Sequence, residues 1–302
     1  MTEGGVGLQT GNNGKYIAVR KSTKWAKNIL ESRPKKLLEV VKRYKTAVKV
    51  ANEEEAKDYL AALSEEQIAI LFDELKEKFG RDIFGQGYIY RLIEDDEVAD
   101  VEALTQDEKD NGIEPTKKFY VPYDKGDKDG NRWYLETPFA IAWSKENVGF
   151  LKSNSGKKGE GMPVVRNPQY YFKEGFCWNN VLLPSLEESM VIKSRIKGSS
   201  VNDVASMSLY SLTDMSPNYF FVSLLGTKFI YNYLKCFINN TVNLQINDFR
   251  LFPIVIPNKK ILNKIKELFK QAVQIKKEYS NEVKLDNIQQ EIDILVNELY
   301  SI

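Results

Sequence analysis

The spacing of apolar residues changes character several times along the chain. The first fourteen residues, MTEGGVGLQTGNNG, have no period and hold five glycines, which predicts a loop whose backbone is free to approach another surface closely. Arg33-Pro34 then opens a helical stretch with Leu37, Leu38, Val41, Tyr44 and Val48 at spacings of three and four. A second helical block runs from about Glu53 to Phe79. Within it Ser64 and Gln67 are spaced as a capping box, and Ile68, Leu71, Phe72, Leu75 and Phe79 make one face. From Gly87 onward the pattern shortens to strand-like runs: Tyr88–Ile93, Lys118–Tyr123, Trp133–Leu135, Phe139–Trp143, Val164–Trp178, Met190–Lys197 and Ser206–Tyr210. Asp127–Asn131 reads as a hairpin connection between two of them. Ser216-Pro217 has the form of N-cap and N1 of a helix reaching about Phe237, apolar nearly all round and therefore buried. Beyond Phe252-Pro253-Ile254-Val255-Ile256-Pro257 the periodicity is helical to the end. Ile261, Ile265, Leu268, Ala272, Ile275 and Tyr279, then Leu285, Ile288, Ile292, Leu295 and Leu299, form two seams suited to an antiparallel helical hairpin. The hairpin either packs on its own domain or serves as a spacer or docking element. Together these elements predict an α+β (mixed) fold. Residues 1–257 form one domain, carrying an N-terminal helical insertion at about 51–86, and residues 258–302 form the hairpin.

The chemistry available is limited by one absence. The 302 residues contain no histidine, which removes histidine acid–base catalysis, Ser-His and Cys-His nucleophile pairs and histidine-containing zinc sites. The two cysteines, Cys177 and Cys236, stand far apart, as expected of free thiols in a cytoplasmic protein. No apolar run approaches the ~18 residues that span a bilayer, and the N-terminus has neither the basic start nor the apolar stretch of a signal peptide. The net charge of +1 hides a strong asymmetry. Lys15–Val50 carries twelve Lys/Arg against two Glu, whereas Ala51–Pro115 carries twenty Asp/Glu against six Lys/Arg. The basic tract suits phosphate contacts, and equally suits pairing with the acidic segment that follows it.

Three motifs come near to catalytic or metal chemistry and stop short. Asn167-Pro168-Gln169-Tyr170 approaches the tetrad with which amino-methyltransferases grip an adenine amino group, but Gln169 stands where the second proline belongs. No Gly-rich strand-to-helix turn for S-adenosylmethionine precedes it, and Gly4-Gly5-Val6-Gly7 follows no strand. Asp127, Asp129, Gly130 and Glu136 fall near calcium-loop spacing, yet Lys125 puts a cation at the first ligand position. Glu74-Leu75-Lys76 matches a nuclease Glu-x-Lys, but lies on an amphipathic helix and reads as its solvated face. No catalytic residue, metal site or bound cofactor is therefore expected in this chain.

Five segments, in order, resemble a known family. They are GLQTGNNGKYI (Gly7–Ile17), FYVPYDKGDKDGNRWY with TPFAIAWSKENV (Phe119–Tyr134, Thr137–Val148), RNPQYYFKEGFCW (Arg166–Trp178), the run from Phe221 to Pro257, and ILVNELYSI (Ile294–Ile302). This pattern is similar to the C-terminal specificity region of large adenine-specific DNA methyltransferases, such as type IIG restriction-modification and BREX phage-defence enzymes. The acidic helical section matches it least. The resemblance implies a target-recognition domain like those of TaqI-type methyltransferases and type I specificity subunits, with a twisted β-sheet and packed helices. It also implies double-stranded DNA as ligand and an adenine methyltransferase domain, with or without a nuclease, in cis or in trans as partner. S-adenosylmethionine would be held by that partner, which would also flip the target adenine.

The residues expected to meet DNA follow from this. Lys152, Asn154, Lys157 and Lys158 lie in the flexible, basic, amide-bearing stretch Lys152–Gly159, and Arg166 opens the RNPQYY segment. Lys193, Arg195 and Lys197 alternate on one predicted strand and so point to one face, where they could line up on phosphates or simply be solvated. Gln9, Thr10, Asn12 and Asn13 could contact backbone or bases from the opening loop. Alanine at Lys157, Lys158 or Arg195 is expected to weaken DNA binding. Two other classes stay open on the sequence alone. One is a docking module that uses the seam helices and acidic block and never touches DNA. The other is a self-contained nuclease or methyltransferase, against which the missing histidines and cofactor loop argue.

Overall fold

A computed structural model describes residues 1–80, 83–84, 90–127, 131–182, 191–278 and 282–301. The chain is α+β, and it divides into two compact units rather than a long domain and a terminal hairpin. The first unit comprises Met1–Gln9, Asp124–Thr137 and Arg166–Ile302; the second comprises Thr10–Tyr123 and Pro138–Val165. The expected hairpin connection at 128–130, the start of the Tyr88 strand, Met190 and the seam residue Tyr279 lie outside the described residues.

The second unit begins with α1 (Asn13–Tyr16), β2 (Ile17–Arg20), which follows β1 (Thr2–Gly5) of the other unit, and α2 (Lys24–Arg43). Next come α3 (Glu53–Ala61), α4 (Glu65–Phe79), β3 (Arg91–Ile93), α5 (Gln106–Asn111), β4 (Tyr120–Asp124), β5 (Phe139–Ala142) and α6 (Lys145–Ser153). β2 pairs parallel with β3 and antiparallel with β5, which pairs antiparallel with β4. The block expected from Glu53 to Phe79 is two helices, because the Ser64 capping box starts a new one: the Ser64 hydroxyl accepts from Gln67 N and Gln67 Oε1 accepts from Ser64 N. α2 starts ten residues before Pro34 and holds that proline inside it, its Ala26 and Ile29 already on the buried face. Leu37, Val40, Ala56, Leu60, Ile68, Phe72 and Leu75 then close a small core among α2, α3 and α4.

This packing resolves the charge asymmetry. Several cations of the basic tract meet the acidic segment: Lys21 with Glu94 (2.7 Å), Lys35 with Glu53 (3.9 Å), Arg20 with Asp95, and Arg33 with Glu65. The first three are exposed or half-exposed and contribute little. Arg33 is different. It is buried, grips Glu65 with two nitrogens (2.8 and 2.9 Å) and donates to Tyr90 O, while Glu65 also accepts from Leu92 N. One ion pair thus ties α2, α4 and β3 together.

The first unit holds β1, β6 (Gly175–Asn179), β7 (Ser194–Lys197), the two-residue β8 (Val201–Asn202) and β9 (Ser206–Ser211). Its antiparallel sheet runs in the order β1-β9-β6-β7. Thr2–Gly5 of the glycine-rich start is therefore a strand, while residues 6–12 lie outside helix and strand as expected of a loop. Gly4 lies so close to β9 that a Cβ there would stand 2.2 Å from Ser208 O, so glycine is what permits the pairing. Trp133 makes only an isolated bridge to Arg195, so the expected Trp133–Leu135 strand does not form. The apolar helix after Pro217 is broken at Gly226 into α7 (Asn218–Leu225) and α8 (Lys228–Tyr233), with a π turn at Leu234–Ile238.

Short α9 (Ile246–Phe249) precedes α10 (Lys259–Lys277) and α11 (Glu282–Tyr300). Phe176 and Trp178 of β6 stack against Phe221 and Phe249, and Trp178 Nε1 donates to Leu244 O at 3.0 Å. Ile261, Ile265, Leu268 and Ala272 of α10, with Ile288, Ile292 and Leu295 of α11, join this same core. The terminal hairpin is thus built into the first unit, and its seam is spent on its own domain. Among the described residues, no helix is long and apolar enough to cross a membrane.

Candidate nucleic-acid interface

In the second unit, two segments about 140 residues apart in sequence are brought into contact. Asn12 caps α1 by accepting from Lys15 N (3.2 Å), and the Thr10 hydroxyl, itself buried, donates to Asn13 Oδ1 at 2.6 Å. That leaves Asn13 and Lys15 exposed at the tip of the turn. Gly11, at φ +74°, runs against the backbone of Gly161 and Met162: a Cβ there would stand 2.2 Å from Gly161 O. Lys15 Nζ sits 5.2 Å from the Phe150 ring of α6. The opening turn is thereby fastened to α6 and the turn that follows it.

That turn is more ordered than its composition suggests. Lys152 is not in the loop but in the last turn of α6, where its ammonium donates to Asp110 O. Asn154 caps the helix end, its side-chain amide donating to Phe150 O (2.9 Å) while its Oδ1 accepts from Lys157 Nζ (3.0 Å). Gly156 N donates to Pro163 O and Val165 N to Ser155 Oγ (both 2.9 Å), which closes the base of the turn. Lys157 and Lys158 stand at its tip and are exposed. The second unit therefore presents Asn13, Lys15, Lys152, Lys157 and Lys158 from two joined segments. Lys15 was the residue missed, although it lies inside both the basic tract and the GLQTGNNGK motif.

In the first unit Gln9 and Arg166 are exposed and Lys193 is half-buried. The solvent-facing row expected of Lys193, Arg195 and Lys197 is corrected here. Arg195 is buried and donates to Asp124 Oδ1 at 2.6 Å; Ser206 Oγ donates to the other carboxylate oxygen at 2.8 Å. Burial alone would raise the Asp124 carboxyl, but Arg195 and then Lys197 more than offset this and hold it below the usual carboxylate range. Lys197 is also buried, with its ammonium donating to the carbonyls of Lys173 (2.9 Å), Ser200 (3.1 Å) and Gly198 (3.3 Å). Burial lowers its pKa, against the opposing pull of Asp124. Both cations are thus engaged by partners inside the fold rather than set out in a solvent-facing row. The Cys177 thiol in the same cluster is pushed up to about 12 by burial, which makes it inert at neutral pH. A cavity of about 280 Å³ opens beside the cluster, lined in part by Tyr134, Glu174 and Asn218.

The incomplete tetrad has a structural occupation as well. Asn167 sits in the left-handed region (φ 49°, ψ 46°) and its side-chain amide donates to Val6 O at 2.9 Å. Gly5 packs on that amide, where a Cβ would meet Nδ2 at 2.4 Å. Asn167 clamps the N-terminal segment, and Pro168–Tyr170 form a short 3-10 turn. Among the described residues no cluster of three or more Cys, Asp or Glu is placed to hold a metal. Set against known protein families and curated proteins, the chain matches no family model and no curated relative.

Proposed function

We propose that this chain reads duplex DNA sequence as the specificity part of an adenine-specific DNA methyltransferase or restriction-modification enzyme. What supports this most is the joined surface of the second unit. There the opening turn, within a region similar to that family, and the Lys152–Gly159 segment, which lies between two such regions, meet through Gly11 and Gly161 and offer cations and amides together. Exposed lysines such as Lys157 and Lys158 suit phosphate contacts, which set register. An amide such as that of Asn13 suits the paired donor and acceptor on an adenine edge in the major groove. Chemistry on the base, with S-adenosylmethionine, would fall to a partner methyltransferase domain working with it in the cytoplasm.

Weighing against the docking alternative is the use already made of its surfaces. Among the described residues, most of the seam of α10 and α11 and of the apolar faces of α3 and α4 is buried within its own unit, and Ile275, Leu285, Leu299, Leu71 and Phe79 are partly buried there. A Lys157→Ala/Lys158→Ala variant tests the reading by fluorescence anisotropy across a salt series. Losing two phosphate contacts should lower the slope of log K against log salt by about 1.8. An unchanged slope would remove this surface from the interface, and no binding by the wild type at low salt would favour docking.

A further inference from the structure

Helix α10 carries seven lysines against one glutamate over nineteen residues, an imbalance found on neither neighbouring helix. Lys259, Lys266, Lys270 and Lys277 are spaced by seven, four and seven residues. At 3.6 residues per turn such positions stay within about 40° of one line, and the line is roughly 27 Å long. All four are exposed, with Asn263 exposed between the first two. The opposite face is occupied: Ile261, Ile265, Leu268, Phe269 and Ala272 are buried in the core of the first unit. That occupancy selects the ligand. An amphipathic helix that lies on a membrane must sink its apolar face into the acyl boundary, and here that face is unavailable. What remains is a straight cationic edge, suited to an extended polyanion in water.

The spacing matches a nucleic-acid backbone. Successive lysines of the row lie about 10, 6 and 10 Å apart along the axis, while one strand of duplex DNA presents a phosphate about every 3.4 Å. Each ammonium can therefore meet a different phosphate. Near neighbours offset the row only in part: Lys270 pairs with Glu267 at 3.2 Å, a solvent-exposed pair of little strength, and Lys277 rests over the Tyr134 ring at 5.1 Å.

We infer that α10 is a second, sequence-independent DNA contact, a phosphate-tracking edge of the first unit that supplies affinity while base readout belongs to the second unit. This rests on the DNA reading above, and the test separates the two. The variant Lys259→Gln/Lys266→Gln/Lys270→Gln/Lys277→Gln keeps helix propensity close to that of lysine, and circular dichroism checks that it folds. In a salt-series titration on random-sequence duplex its slope should fall by about 3.6, while the base sequence enriched from a randomised pool stays that of the wild type. A charge-matched control, glutamine at the exposed Lys49, Lys57, Lys78 and Lys118, should leave the slope near wild type. Wild-type slope in the α10 variant, with the wild type binding duplex, would overturn the inference and leave the DNA reading standing. An equal fall in the control would assign the effect to net charge and overturn it too. Loss of binding to phosphatidylserine vesicles with duplex binding intact would transfer the edge to membranes. Failure of the wild type to bind any duplex would overturn both readings.

Discussion

Gly11→Ala and Gly156→Ala ask the same backbone question in two different surroundings. Both glycines sit at φ +74° in the second unit. Placing an L side chain there costs about 1 kcal/mol or somewhat more for the left-handed conformation alone. Around Gly156 nothing lies within 4 Å of the position a methyl group would take, so that cost is the whole effect. At Gly11 the methyl would stand 2.2 Å from Gly161 O and 2.7 Å from the Met162 carbonyl carbon, backbone atoms that no rotamer change can move. Overpacking of this kind adds about 1–3 kcal/mol. Gly11→Ala should therefore be the less stable variant by about 2 kcal/mol, which at a urea m-value near 2 kcal/mol/M is a midpoint about 1 M lower. Hydrogen exchange should quicken at residues 10–16 and 154–163 together in Gly11→Ala, and at the second segment only in Gly156→Ala. DNA affinity under folding conditions should follow the same order. Equal midpoints, or exchange at the two segments that does not change together, would refute the argument that the glycine contact joins them.

Three further outcomes follow. Arg195→Ala should destabilise the first unit by about 3–5 kcal/mol, because it leaves the buried Asp124 carboxylate short of its partner; folded protein should keep its DNA affinity, contrary to a phosphate role for Arg195, and urea unfolding with parallel anisotropy decides between them. Asp124 is depressed in the fold, so its contribution is present above the unfolded carboxylate value of about 3.9 and is lost as pH falls through the lower native value; acid titration of an Asp124→Asn variant should lack that loss. Cys236 is exposed and Cys177 buried, so native protein at pH 8 should take up one equivalent of iodoacetamide and denatured protein two, by intact mass; two in the native state would contradict the inert thiol.

How far the sequence could be read depended on where the deciding interaction lay. Local signals were legible: the Ser64–Gln67 capping box, the strands at Tyr120–Asp124, Phe139–Ala142 and Ser206–Ser211, and the two long terminal helices all stand where short-range pattern places them. Thr2–Gly5 was not legible, because its strand character comes from pairing with β9 some two hundred residues later, and glycine disguises it as loop. Pro34 suggested a helix start, since proline fits N1, yet the buried positions before it carry α2 further back. The alternation of Arg195 and Lys197 put those two on one face of β7, whereas Lys193 precedes the strand. Periodicity does not say whether a face meets solvent, and Asp124, the partner that buries Arg195, is seventy-one residues away. The meeting of the opening turn with the Lys152–Gly159 segment was hidden for the same reason. Each segment could be chosen for its composition, but only the fold makes them neighbours.

The central proposal is sequence-specific recognition of duplex DNA, and selection from a randomised duplex pool tests it most directly. Protein-bound duplexes would be recovered at low and at moderate salt and sequenced. Binding that weakens with salt yet enriches one short motif at both concentrations is the predicted result. Binding without enrichment, or none at low salt, would contradict it.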